Sequence, residues 1–267
     1  MSTADLWVRE LGARYGLVLI IVIVIATWAY SRWSKVRKVW YRDHLVGFET
    51  ECSTLARFHK RRLFEPLHSL VSADSALRDL GRIRILEIGV KTGENIPFYP
   101  EACHLIGVDW NRKLADYLFH DDYAWRFQHV FVERTLVGDG SRLSRAIPSE
   151  SIDAVVTTRT LCSVKSPSAV LREIRRVLVP GGAYFFMEHT PDPERGTLIY
   201  WLQAFWSRSR IWPYLYGGCR PDFDPVKSIE SAGFKEVRWG RATLHGDVSK
   251  PHHLALTRHH MIGTAIR

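Results

Sequence analysis

The chain has 267 residues, enough for one α/β domain with extra helices around a single sizeable core. Its four cysteines show no paired or Cys-x-x-Cys spacing, which excludes a disulfide scaffold and reads as reduced thiols. Formal charge is +9, and between Ser31 and Arg62 nine basic residues stand against three acidic ones, beside an apolar run; this suits a membrane lipid surface as partner, whereas no recognisable nucleic-acid module is formed.

In chain order, the apolar run comes first. Tyr15 to Ser31 carries no charge and sits at the lower length limit for crossing a bilayer. Arg14 and Arg32 flank it, with Trp28, Tyr30 and Trp33 as interface-preferring residues at one end. The bulk in Ala26-Thr27-Trp28-Ala29 argues against a cleaved signal peptide, so residues 1–38 are expected to be a membrane anchor with its basic flank. Arg9 and Arg14 are offset by Asp5 and Glu10, whereas Arg32, Lys35, Arg37 and Lys38 face only Asp43 nearby. The domain, residues 39–267, is therefore expected on the cytoplasmic side. Tyr41 to Leu70 reads as a helix with Leu45, Phe48, Cys52, Leu55 and Phe58 on one packing stripe.

A parallel α/β sheet follows. Ile85 to Ile88 is an apolar strand that breaks into Gly89-Val90-Lys91-Thr92-Gly93-Glu94-Asn95, and a second strand, Leu105 to Val108, ends in Asp109 and Trp110. Lys91 and Ile96 stand where a pyrophosphate-binding turn needs small residues, which sets nicotinamide and flavin cofactors behind other nucleosides. A third run, Phe127 to Val137, closes on Gly138-Asp139-Gly140, and Ser151 to Thr158 reads as a buried fourth strand. Leu171, Ile174, Val177 and Leu178 have helical spacing, Pro180-Gly181-Gly182 forms a turn, and Ala183 to Met187 is a fifth strand.

Beyond it, residues 190–220 carry Tyr200, Trp201, Phe205, Trp206, Trp212, Tyr214 and Tyr216, which suits either an apolar lid over a lipophilic acceptor or ordinary core packing. Pro225 to Gly233 reads as a helix, Phe234 to Trp239 as a strand, and Met261 to Ile266 as a final antiparallel strand at the sheet edge. His252, His253, His259 and His260 match no ligand spacing, so no metal is expected from them.

The Glu87-Ile88-Gly89-Val90-Lys91-Thr92-Gly93 loop resembles the first motif of class I S-adenosylmethionine-dependent methyltransferases, with lysine in place of the middle glycine. Together with Leu161-Cys162-Ser163-Val164-Lys165, Leu171-Arg172-Glu173-Ile174, Pro180-Gly181-Gly182-Ala183, Phe186-Met187-Glu188-His189 and the terminal Arg258-x-His260-Met261-Ile262-Gly263, it is similar to the methyltransferase-like protein seven family of membrane-anchored thiol S-methyltransferases. The resemblance implies a Rossmann-like, seven-stranded sheet, S-adenosylmethionine as cofactor, a small lipophilic acceptor, and location at endoplasmic reticulum or lipid droplets.

On that resemblance Gly89 and Gly93 admit the methionine half of the cofactor, Asp109 accepts from the ribose hydroxyls, Trp110 packs on adenine and Asp139 receives the adenine amine. Glu87, Val90, Lys91, Asn95, Gly138 and Thr158 complete the expected cofactor contacts. Lys91 either faces the cofactor carboxylate or crowds it. His189 is the first candidate for a base or orienting group and His260 the second. Methylation of oxygen or nitrogen on a lipid or quinone, and a catalytically silent protein of membrane or lipid-droplet association, stand as alternatives.

Overall fold

The computed structural model describes residues 3–110, 112 and 127–267, and the chain falls into two compact units, Met1–Asp43 and His44–Arg267. Helix α1 (Thr3–Leu55) begins in the first unit and ends in the second. In the first unit, Arg14–Trp33 is 20 residues long and apolar, with none of it buried. At 1.5 Å per residue it spans about 30 Å, the thickness of a bilayer's hydrocarbon core. Its two aliphatic hydroxyls are satisfied within the helix: Thr27 donates to the Ile23 carbonyl at 2.8 Å and Ser31 to the Trp28 carbonyl at 2.7 Å. The side chains of Lys35, Arg37, Lys38, Arg42 and Leu45 lie outside the described residues.

The second unit is built on strands β1 (Arg84–Ile88), β2 (His104–Asp109), β3 (Phe131–Val137), β4 (Ile152–Thr158), β5 (Leu178–His189), β6 (Glu236–Thr243) and β7 (His259–Ile266). They form one seven-stranded sheet in the order β3-β2-β1-β4-β5-β7-β6. The five strands β1 to β5 run parallel, and β7 lies antiparallel to both β5 and β6. The final strand is thus interior rather than at the edge: β6 takes the edge, and β7 is inserted between it and β5. Pairing on both sides accounts for the fully buried Met261 and Ala265.

Strand alternation divides the core into two layers. Ile85, Ala154, Val156, Phe185 and Met187 face one layer, shared with Phe48 and Cys52 of α1 and with Leu63 and Phe64 of α2 (Arg57–Phe64). Leu86, Ile88, Val155, Tyr184 and Phe186 face the other. There they meet Val170, Leu171, Ile174 and Val177, the apolar stripe of a later helix, Pro167–Val177. Proline at its first turn, the Ser166 cap and two arginines in its last turn explain its limits.

The expected Tyr41–Leu70 helix is interrupted at Ala56, after which α2 and a 3₁₀ turn (Glu65–Ser69) follow. This break rotates the stripe, so Phe48 and Cys52 are buried whereas Phe58 is exposed. Short helix α3 (Ser75–Asp79) precedes β1, and Pro167–Val177 is α4. The Pro180-Gly181-Gly182 turn lies inside β5 as a bulge: Ile152 pairs with Leu178, but Ala154 pairs with Ala183.

Candidate active site

The loop after β1 turns back under the C-terminal edge of the sheet. Gly89 has φ +79°, and a Cβ there would lie 2.2 Å from Thr160 Oγ1, so only glycine fits. Gly93 is also left-handed, at φ +73°. Lys91, between them, has φ +52°, a conformation that costs a non-glycine residue about 1–2 kcal/mol. Its amide donates to Asp109 Oδ2 at 2.9 Å, which ties the loop to the end of β2.

The Lys91 ammonium reaches Glu49 Oε1 at 3.2 Å and the Arg159 carbonyl at 3.2 Å. Arg159, just past β4, is left-handed too, at φ +51°, with its Nε 3.7 Å from Glu49 Oε1. Two strained residues therefore converge on one half-buried carboxylate, a concentration of backbone strain typical of functional sites. Burial alone would raise the Glu49 carboxyl, but Lys91 and Arg159 outweigh it and hold it at about 2. Neither Glu49 nor Arg159 stands out in the sequence, because helix and loop are 110 positions apart and only the fold joins them.

These residues line a cavity together with Cys52, Lys60, Val90, Thr92, Asn95, Thr158 and Met187. Beneath it, Glu87 is fully buried; its two oxygens accept from Asn95 Nδ2 and the Tyr99 hydroxyl, each at 2.7 Å. Burial pushes this carboxyl up to about 7 despite those bonds. Asn95 also donates to Thr158 Oγ1 at 2.8 Å, so Glu87, Asn95 and Thr158 form one bracket. Lys60 donates to Ser53 Oγ at 2.9 Å, and burial lowers its ammonium to about 8.

Residues 86–186 match the methyltransferase domain family. Human thiol S-methyltransferase TMT1A is 32% identical over 222 residues, covering 82% of this chain and 86% of the relative. Human thiol S-methyltransferase TMT1B is 36% identical over 182 residues, covering 68% and 70%. The chain belongs to this methyltransferase family.

Solved methyltransferases share the fold. A SAM-dependent methyltransferase of Thermotoga maritima superposes with a TM-score of 0.51 at 18% identity, covering 85% of this chain and 97% of that one. A second, from Methanosarcina mazei, gives 0.50 at 16% identity, covering 70% and 92%. As a member of the family the protein uses S-adenosylmethionine as its methyl donor.

The cavity suits the polar amino-acid end of that donor. Thr92 Oγ1, Asn95 Oδ1 and Arg159 Nη1 are buried there without a hydrogen bond among the described residues. Unmet polar groups of this kind cost about 1–3 kcal/mol each until a ligand supplies partners. At the ends of β2 and β3, Asp109 is buried, Trp110 is 57% exposed, and the Gly138 amide donates to the Asp109 carbonyl at 2.8 Å. Asp139 accepts from the amide and hydroxyl of Ser141, at 3.1 and 2.6 Å.

The structure separates the two histidines from the cavity wall. His260 is buried, its Nδ1 2.9 Å from the Arg258 carbonyl, and burial with nearby Arg159 keeps its ring neutral, well below the usual imidazole range. His189 ends β5 with Nε2 3.4 Å from Cys219 Sγ. Cys219 in turn lies 3.8 Å from Cys162 Sγ. Its hydrogen bond to Cys219, with burial, pushes the Cys162 thiol up to about 12.

Glu188, paired with His189 in the Phe186-Met187-Glu188-His189 motif, organises this edge. It accepts from Thr157 Oγ1 at 2.7 Å and from the Thr160 and Leu161 amides at 2.8 and 3.1 Å. The turn carrying Arg159 and Cys162 is thereby fixed.

The aromatic segment divides in two. Helices α5 (Leu198–Arg208) and α6 (Ile211–Leu215) bury Trp212, which meets Tyr216 and His253 with ring centroids 4.2 and 4.9 Å away. Leu198, Trp201 and Phe205, at helical spacing on α5, are exposed, as is Tyr214.

Proposed function

We propose that the protein methylates the thiol of a small lipophilic acceptor at a membrane surface. The observation that carries the thiol is the activity named for its relatives, thiol S-methyltransferases 31–36% identical. The lipophilic acceptor and the membrane surface are supported by the exposed Leu198, Trp201 and Phe205 on α5 and by the bilayer-length Arg14–Trp33 helix. In this reading residues 1–38 anchor the chain and residues 39–267 work on the cytoplasmic side, at endoplasmic reticulum or lipid droplets.

The donor supplies an electrophilic methyl on its sulfonium. The chain's own task is to hold, align and exclude water. Lys91 and Arg159 face the donor's carboxylate and Glu49 its ammonium, matching a zwitterion with an acid and two bases. Gly89, Val90 and Gly93 admit its backbone-like tail, and the bracket of Glu87, Asn95 and Thr158 keeps the loop in place. Asp109 takes the ribose hydroxyls, while Trp110, Gly138 and Asp139 border the adenine. His189 belongs to the acceptor side; His260, buried and neutral, is a poor base and packs the sheet.

The test is transfer of labelled methyl from S-adenosylmethionine to panels of thiols, phenols, amines and quinones by the full chain in detergent. Thiol methylation favouring apolar acceptors is expected. Label on oxygen or nitrogen alone overturns the thiol assignment, and absence of donor binding leaves a silent membrane-association protein.

A further inference from the structure

Cys162, His189 and Cys219 lie 27 and 30 positions apart in the chain, yet all three are buried and their ligand atoms lie within 4.8 Å of one another. They come from three different pieces of the fold: the turn after β4, the last residue of β5, and the loop that follows α6. The loop is pressed hard into position. Gly218 has φ +91°, and a Cβ there would lie 2.8 Å from the Ser163 carbonyl oxygen. The next residues are pinned to the same turn, with the Arg220 amide and Nε both donating to the Cys162 carbonyl at 3.2 Å. His189 also has a buried Nδ1 with no hydrogen bond among the described residues.

Two of the three spacings match the edges of a coordination polyhedron. A tetrahedral zinc with its usual bonds of about 2.3 Å to sulfur and 2.05 Å to nitrogen sets sulfur–sulfur edges of about 3.8 Å and sulfur–nitrogen edges of about 3.6 Å. The Cys162–Cys219 and Cys219–His189 edges are 3.8 and 3.4 Å. Two thiols and one imidazole make a soft donor set suited to zinc and unsuited to calcium or magnesium.

We propose that Cys162, His189 and Cys219 bind a zinc ion whose fourth position receives the acceptor sulfur. Among the described residues the cluster offers three ligands and no fourth, the count of a catalytic rather than a closed structural site. Arg159 joins it to the donor cavity: this residue lines that cavity, and its carbonyl lies 3.7 Å from Cys162 Sγ. An acceptor thiol entering the open position releases its S–H proton to solvent, and the sulfur electron pair left behind forms the zinc–sulfur bond. The metal then holds the acceptor as a thiolate without a general base. The thiol part rests on the function proposed above; the metal site does not.

The experiment uses the full chain, untagged and reduced, in detergent, with zinc measured by plasma mass spectrometry. About one zinc per chain is expected, lost from Cys162→Ser, Cys219→Ser and His189→Asn but retained in Cys103→Ala, a buried cysteine elsewhere in the core. Cobalt substituted for zinc should show thiolate charge-transfer absorption, which strengthens when a small alkyl thiol is added without methyl donor. Circular dichroism confirms that each variant is folded. Absence of zinc from the folded, reduced chain, zinc retained by both serine variants, or a Cys162–Cys219 disulfide in place of metal overturns the site. An unchanged cobalt spectrum on adding thiol overturns the open position. Methyl transfer to thiols by a zinc-free chain leaves the proposed function intact and removes this inference alone.

Discussion

Replacing Glu49 by glutamine removes a charge but little volume, and its effect should depend on pH in a defined way. The Glu49 carboxyl is held at about 2 against an ordinary 4.5, a difference of about 2.5 units or about 3 kcal/mol. Because the side chain is only 15% exposed, solvent screening discounts this little. The folded-state value is depressed, so the stabilisation is complete above pH 4.5 and disappears as pH falls towards 2. About 2 kcal/mol of it should be gone by pH 3. The assay is urea unfolding of the full chain in mild detergent, followed by tryptophan fluorescence, for wild type and Glu49→Gln at pH 7, 5, 4 and 3. Other carboxylates titrate in both proteins and cancel in the difference. A stability gap that stays constant from pH 7 to 3 would show that Glu49 is not clamped by Lys91 and Arg159.

Lys91→Met keeps the bulk and removes the charge; donor affinity by calorimetry should fall about tenfold or more, as for a lost charge-assisted hydrogen bond. Lys91→Gly relieves the left-handed backbone yet also leaves Glu49 without its ammonium, and a gain in donor affinity would contradict the clamp. Gly89→Ala drives a Cβ into Thr160 and should abolish donor binding while lowering stability by about 2 kcal/mol, read from thermal unfolding. Asp109→Asn should weaken donor binding about tenfold with the fold retained by circular dichroism, since Lys91 still finds an acceptor there. Trp201→Ser combined with Phe205→Ser should reduce turnover of apolar thiols in vesicles more than donor affinity; an equal loss in both would tie α5 to the donor site instead.

The sheet was legible because its strands carry apolar runs bounded by glycine and acidic turns, and because the α4 stripe has clean helical spacing. Those signals are local. The insertion of β7 between β5 and β6 is not local: Met261–Ile266 reads as an edge strand until one sees it paired on both sides. The same limit governs the site. Gly89, Gly93 and Asp109 were readable from turn chemistry, and Lys91 was readable as an anomaly, but its partner Glu49 lies on a helix whose visible pattern concerns only the apolar face. Likewise Cys162, His189 and Cys219 share no spacing, so their convergence comes from topology: β4 and β5 are adjacent, and the α5–α6 segment returns to their common end.

The placement of β7 also sets an order of events during synthesis. β6 is made before β7, yet it has no hydrogen-bonding partner until β7 arrives, and β5 exposes an open edge over the same interval. A nascent chain emerging residue by residue therefore carries two unsatisfied strand edges, which favour association with other chains while they last. Completion comes in one late, non-local step that joins segments some 75 positions apart. The apolar Arg14–Trp33 segment, by contrast, is made first, so under the membrane-surface function proposed above it meets a bilayer before the sheet closes.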